Sequence, residues 1–307
     1  MKHILLLILT CSFLFSCEQD YYVDNVAFTP KLVVNSVFTV GSKIEATVKS
    51  TRNVLDPESF IEEISDAKVV LKDDTGDVLS KLDFIGDGKY ASDDVNLIVG
   101  TSYTLEVTRE GYAPSIATSK IPTKVDASIQ NRNIITTGVA ESLNVAVKLR
   151  DNDIEDNYYV YEVVDDNRLL ITAQSFSELI EDVQILLTTD AENQDQIAAN
   201  SLLQSRVFLK DVNFANSEYE FNLKAKGNPA AIDGPVELTS DELFREQKLR
   251  VITASHSMYE YYKSIESYRI KGAANSSVSQ PVAVYSNFSN GLGIFAGYNA
   301  SEEDLLR

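Results

Sequence analysis

Cys17 has the most specific chemistry open to it of any residue in this chain. It closes an apolar run, Ile4 to Phe15, that follows Lys2 and His3, with Leu14 three residues before it and the small Ser16 directly before it. That spacing is the lipobox pattern of a bacterial lipoprotein signal, and it predicts removal of residues 1–16 and lipid attachment at Cys17. The run is shorter than the roughly 20 apolar residues a spanning helix needs. The simpler alternative is a secretory leader that happens to hold a cysteine. The other cysteine, Cys11, lies inside the run and would leave with it. A chain starting at Cys17 has no further cysteine, so it can form neither an internal disulfide nor a thiolate metal site.

Other chemistry-bearing groups are sparse. Beyond the leader there is one histidine, His256, so any Ser-His-Asp arrangement would have to use it. Neither a G-x-S-x-G elbow nor an H-E-x-x-H helix is present, and His256, at the mouth of a predicted helix, reads as a helix-entry residue. Carboxylates are abundant, and two at a suitable separation suffice for glycoside hydrolysis, but abundance gives no single pair meaning. The densest group is Asp151, Asp153, Glu155 and Asp156, followed by Glu162. It follows the alternating order of a calcium loop, except that Asp156 stands where such a loop needs glycine and Glu162 lies in a strand pattern. A solvated loop before a strand is the expectation, with weak calcium binding as the minority reading. Aromatic and acidic groups come closest together here, so Tyr159, Tyr161, Asp151 and Asp153 are the candidate binding residues. No metal site and no cofactor are expected.

The elements that must position these groups are mostly strands. From Lys31 onward, short runs rich in valine, isoleucine and threonine alternate with turn residues, as in a sandwich. Lys31–Val40 and Lys43–Ser50 form a predicted hairpin turning at Gly41-Ser42. Ala67–Lys72 and Asp77–Leu82 flank Asp73-Asp74-Thr75-Gly76, where Gly76 can take positive φ. Phe84 and Tyr90 bracket a second turn, and Ser102–Arg109 places Tyr103, Leu105 and Val107 on one face. Pro122 and the polar residues after it set the domain boundary near 122–128. Leu143–Leu149, Tyr158–Val164, Arg206–Val212, Tyr219–Lys224 and Lys248–Ala254 read as strands, whereas Leu169–Leu203 fits helix and strand equally. Ser257 and Glu260 have capping-box spacing for a helix over 257–271 that Gly272 can end. Val282–Asn287 and Gly291–Tyr298 read as closing strands. The glycines of the latter read as places where a bend packs closely, since no P-loop lysine follows them.

The net charge is -19 for the whole chain, and loss of Lys2 with the leader makes it one unit more negative. Such a surface repels phosphate backbones and argues against nucleic-acid partners.

Taken together, the lipobox, the Pro30-Lys31-Leu32-Val33-Val34-Asn35 opening strand, Asp66-Ala67-Lys68-Val69 before the D-D-T-G turn, and Gly88-Lys89-Tyr90 before Gly100-Thr101-Ser102-Tyr103-Thr104-Leu105 form a pattern. So do Asp156-Asn157-Tyr158-Tyr159, Met258-Tyr259-Glu260-Tyr261-Tyr262-Lys263-Ser264, and Pro281 to Asn287 running into Asn290-Gly291-Leu292-Gly293-Ile294-Phe295-Ala296-Gly297-Tyr298. The chain resembles the Bacteroidota lipoprotein family called domain of unknown function 4249. The resemblance spans the chain after the leader, and the closing stretch is its most specific part. It implies a surface or outer-membrane lipoprotein, facing the exterior, often encoded beside TonB-dependent transporters, with an immunoglobulin-like first domain. It supplies no active-site residues.

The combined expectation is a mainly β protein. A signal peptide (1–16) and a tether (17–29) precede an immunoglobulin-like β-sandwich (30–124) and a second β-rich domain (125–307) with one or two helices. The expected function is non-enzymatic: accessory or substrate-binding partner of a TonB-dependent transporter, held to the membrane by its lipid and taking a small ligand. The alternative is a structural or adhesive surface lipoprotein without that partner.

Overall fold

The computed structural model describes residues 27–53, 55, 56, 58, 60–137, 140–151, 155–165, 168, 169, 174, 175, 206–212, 214–226, 244, 247–273 and 283–306. Cys17, Asp153 and most of the ambiguous stretch from Leu169 to Leu203 lie outside them. The chain is mainly β.

The first seven strands are β1 (Leu32–Phe38), β2 (Ile44–Ser50), β3 (Lys68–Lys72), β4 (Val78–Gly86), β5 (Lys89–Ser92), β6 (Ser102–Thr108) and β7 (Ser115–Lys120). They follow the predicted hairpins closely. At the D-D-T-G turn the Asp73 carboxylate accepts bonds from the Thr75 and Asp77 amides, and Gly76 takes φ 90°. Alternation on β6 buries Tyr103, Leu105 and Val107 and leaves the residues between them part-exposed. Strand order β1-β2-β5-β4-β3-β6-β7 folds these faces over one core containing Leu32, Val34, Phe38 and Tyr103.

The second group is β8 (Asp126–Thr137), β9 (Ala140–Arg150), β10 (Tyr158–Asp165), β11 (Arg168–Leu169), β12 (Gln174–Ser175), β13 (Val207–Lys210), β14 (Glu218–Lys226), β15 (Gln247–Ala254), α1 (His256–Ala273) and β16 (Leu292–Asp304). Strands β12-β14-β9-β8 make a four-stranded sheet, and β11-β10-β15-β16 face it. Tyr159, Tyr161, Val163, Leu249 and Val251 fill the space between them with Val145, Val147 and Phe221. Helix α1 covers part of the other face, over Val160, Phe208, Ile252 and Ala254. Both faces of β10 are therefore buried, which explains its near-continuous apolar run.

Strand β16 joins the two groups. Its first half pairs in parallel with β1, from Val33↔Leu292 to Phe38↔Gly297, and its second half pairs antiparallel with β15, from Ala254↔Tyr298 to Lys248↔Asp304. Phe295 stacks on Phe38 at 4.5 Å between ring centroids, inside the first core. Residues 30–124 alone thus do not complete that core.

The three glycines of the closing motif mark close approaches. A Cβ on Gly291 would lie 2.0 Å from Ser115 Oγ, one on Gly293 2.0 Å from Val34 O, and one on Gly297 2.4 Å from Lys120 O. The glycines let β16 run against β1 and β7.

Two expectations need correction. The cap of α1 is Ser255, whose Oγ accepts from Met258 N at 3.3 Å; the helix starts two residues earlier than the Ser257 spacing implied. Residues 283–288 are not a strand, because side chains satisfy them in place of a ladder: Tyr285 N donates to Ser264 Oγ at 2.9 Å. Strand β8 starts at Asp126, directly after the polar stretch that follows Pro122, and among the described residues it pairs only with β9.

Candidate functional site

On β10, β15 and β16 the register places Glu162 opposite Arg250 and Arg250 opposite Glu302. All three point to the face that α1 only partly covers, so they form a row of alternating charge across neighbouring strands. Arg250 donates from Nη1 to Glu162 Oε1 at 3.2 Å and from Nε to Glu302 Oε1 at 2.6 Å. Arg206, just before β13, donates from Nε to Glu162 Oε2 at 3.0 Å. Its guanidinium carbon lies 4.2 Å from the centre of the Tyr262 ring on α1. Glu162 is 4% exposed, and a buried carboxylate of this kind persists only when it is paired.

Burial works against the charge on Arg250, but Glu302 and Glu162 outweigh it and hold the guanidinium above its ordinary range. Burial raises the Tyr262 phenol, so Tyr262 faces the cleft as a neutral hydroxyl.

This row floors a cleft of about 560 Å³. Val37, Thr39 and Val40, at the end of β1 and just beyond it, form one wall, and Met258 and Tyr262 of α1 form another. Tyr298, Asn299 and Ala300 contribute where β16 exchanges β1 for β15. Among the described residues the lining holds no histidine, cysteine or serine. Guanidinium donors and carboxylate acceptors alternate at short range, so the floor is close to neutral despite the acidic chain. It suits a polar ligand that both donates and accepts, with tyrosine rings for stacking.

The residues expected to bind lie elsewhere. Tyr159 and Tyr161 point to the opposite face of β10, 1% and 0% exposed, and stack on Phe214 and Phe221. They are core residues, and the groups beside them in sequence, Tyr158 and Glu162, face the helix side. The strand was the right one and the face was wrong, since successive residues point to opposite sides.

Asp151 is buried beside Asp211 at the foot of β9 and β13. Burial, then the Asp151 carboxylate, push Asp211 above the usual aspartate range, against the Asn157 amide that donates to Asp211 Oδ2 at 2.9 Å. Glu155 and Asp156 point outward to Lys120 and Lys210. Glu162, the distal glutamate of the calcium-loop reading, is bound by two arginines instead. Among the described residues no three His, Cys, Asp or Glu are grouped to hold a metal. His256 opens α1 with its ring edge against Tyr158 at 5.1 Å.

The groups missed from sequence are Arg206, Arg250, Glu302, Tyr262 and Tyr298. A signal existed. Glu162 sits inside an apolar strand run, where a lone charge has to find an opposite one.

A family model described as "Domain of unknown function (DUF4249)" matches residues 18–304. The chain belongs to this family. No curated protein matches it. Among solved structures, alpha-2-macroglobulin of Salmonella reacted with methylamine is similar over 75% of this chain and 14% of its own, at 10% identity and a TM-score of 0.25. A mutant of the same protein has the same coverage and identity, with a TM-score of 0.23. A membrane-anchored protein from Corynebacterium diphtheriae is 10% identical over 74% of this chain and 55% of its own, with a TM-score of 0.20. This member of the family spans about a seventh of the macroglobulin chain. No described helix is long and apolar enough to cross a membrane.

Proposed function

We propose that this protein is a non-enzymatic, lipid-anchored binding protein of the outer membrane. It faces outward, holds a small polar ligand in the cleft, and serves as an accessory to a TonB-dependent transporter. The observation that supports this reading best is the paired-charge cleft at the junction where β16 leaves the sandwich. Its lining has the donors, acceptors and aromatic faces of a binding site. The cleft also sits at the end of β1 opposite residues 27–31, a strand length of about 20 Å away, so an anchor at Cys17 would hold it clear of the bilayer. The transporter partnership follows from the family resemblance.

The test is isolation of the tagged full chain from its own membrane in mild detergent, with cross-linking and mass spectrometry. A stoichiometric β-barrel partner supports the reading. Recovery of the protein alone overturns the accessory role in favour of a structural or adhesive surface protein.

A further inference from the structure

We infer that the sandwich end from which residues 27–31 leave rests on the lipid surface, with the β2–β3 loop seating Leu55, Phe60 and Ile61 in the bilayer interface. The inference rests on the lipid-anchor reading of Cys17. Phe60 is 74% exposed, Ile61 56% and Leu55 53%, a concentration of large apolar side chains that a loop in water does not favour.

The loop is held from behind. Arg109 donates to both carboxylate oxygens of Glu62, at 2.9 and 3.1 Å, and bridges Asp66 at 2.7 Å. Ser50 N donates to Glu62 O and Ile64 N to Val48 O, which fixes the returning strand of the loop beside β2. Phe60 and Ile61 are therefore displayed from a rigid base, and seating them costs little ordering.

Position supplies the partner. Strand β2 runs antiparallel to β1, so the loop starts where the N-terminal segment ends: Lys31 N donates to Thr51 Oγ1 at 3.0 Å, and Thr51 N to Lys31 O at 2.9 Å. Residues 17–26 reach at most about 35 Å when extended, so a bilayer holding Cys17 lies within range of this end. Asp56 and Glu58 on the same loop disfavour an anionic surface, so the partner is a zwitterionic lipid face. In this orientation the cleft opens away from the membrane.

The chain has no tryptophan, so one introduced tryptophan reports alone. The experiment places Phe60→Trp and, at the opposite end of the sandwich, Ile98→Trp, in the full acylated chain on phosphatidylcholine vesicles with and without brominated acyl chains. Both positions are already exposed and apolar, so both variants keep the fold. Mass spectrometry of the Cys17 peptide reads the anchor separately. Insertion to the acyl boundary quenches the residue-60 tryptophan about twofold and leaves the residue-98 one unchanged. Lipid on Cys17 without quenching at 60, or equal quenching at both positions, overturns the inference while leaving the anchor intact. An unmodified Cys17 with no quenching removes both.

Discussion

The side-chain amide of Asn287 takes the place of a strand beside Phe295. Its Oδ1 accepts from Phe295 N at 3.0 Å and its Nδ2 donates to Phe295 O at 2.8 Å, so one side chain answers both backbone groups of a buried residue. The same Nδ2 reaches Ser257 Oγ on α1 at 3.2 Å and Thr118 O on β7 at 3.4 Å. Asn287→Ala leaves the Phe295 amide and carbonyl unanswered, and a loss of about 2 kcal/mol is expected by urea unfolding. Asn287→Asp keeps the acceptor, turns a carboxylate oxygen toward the Phe295 carbonyl, and should be no better than alanine.

Glycine substitutions in the closing motif separate close approach from conformational freedom. Gly297→Ala drives a Cβ to 2.4 Å from Lys120 O, and Gly293→Ala meets Val34 O at 2.0 Å with φ at 109°. Each should cost about 3 kcal/mol or more, or prevent folding. Gly41→Ala, also at positive φ but with nothing within 4 Å, should cost about 1 kcal/mol. Chemical denaturation of the three variants checks the ranking.

Glu162 is the shared counter-charge of Arg206 and Arg250. Glu162→Ala leaves two part-buried guanidiniums short of a partner and should lower stability by about 3 kcal/mol. Glu302→Gln breaks a pair nearer the surface and should cost about 1 kcal/mol or less. A Glu162→Ala loss no larger than that of Glu302→Gln would show that the row does not hold the sheet together.

Asp211 gives a pH dependence with a definite sign. The folded protein keeps its proton to higher pH than the unfolded chain does, because burial and Asp151 raise its pKa. Its contribution to stability is therefore present at low pH and declines as pH rises from the ordinary aspartate value through the raised one. Asp211→Asn removes that decline and can still accept from the Asn157 amide. At pH 7 it should melt about 2 °C above the parent, and the gap should close as the pH falls below 4. Calorimetry across pH 3–8 reads this directly; a gap that widens toward acid contradicts it.

Local chemistry made much of the fold legible. Gly41-Ser42 and the D-D-T-G turn specify hairpins through residues that tolerate positive φ, and alternation on Ser102–Arg109 needs only the period of a strand. What could not be read locally is what depends on distant partners. Strand β8 carries a weak apolar pattern, Ala127, Ile129, Ile134 and Ile135 within Asp126–Thr137, and among the described residues it pairs only with β9. The 283–288 segment looks strand-like because it is apolar, yet Asn287 and Ser264, far apart in the chain, decide its course. At the site, aromatic and acidic density pointed to Tyr159, Tyr161, Asp151 and Asp153. Burial claimed the two tyrosines and Asp151, and the informative residue was the lone glutamate one place beyond Tyr161. Its partners, Arg206 and Arg250, are 44 and 88 residues away.

Strand β16 sets an order of assembly. Because residues 292–297 finish the sheet that begins at Leu32, the N-terminal half cannot close its core as it emerges from the ribosome or from a translocation channel. It must wait, with one sheet edge open, until about 170 further residues have followed it. A chain interrupted anywhere before Leu292 would lose a strand from both halves at once, so partial products have no intact half to shelter them from proteolysis. Strand β16 thus ties the completion of each half to that of the other.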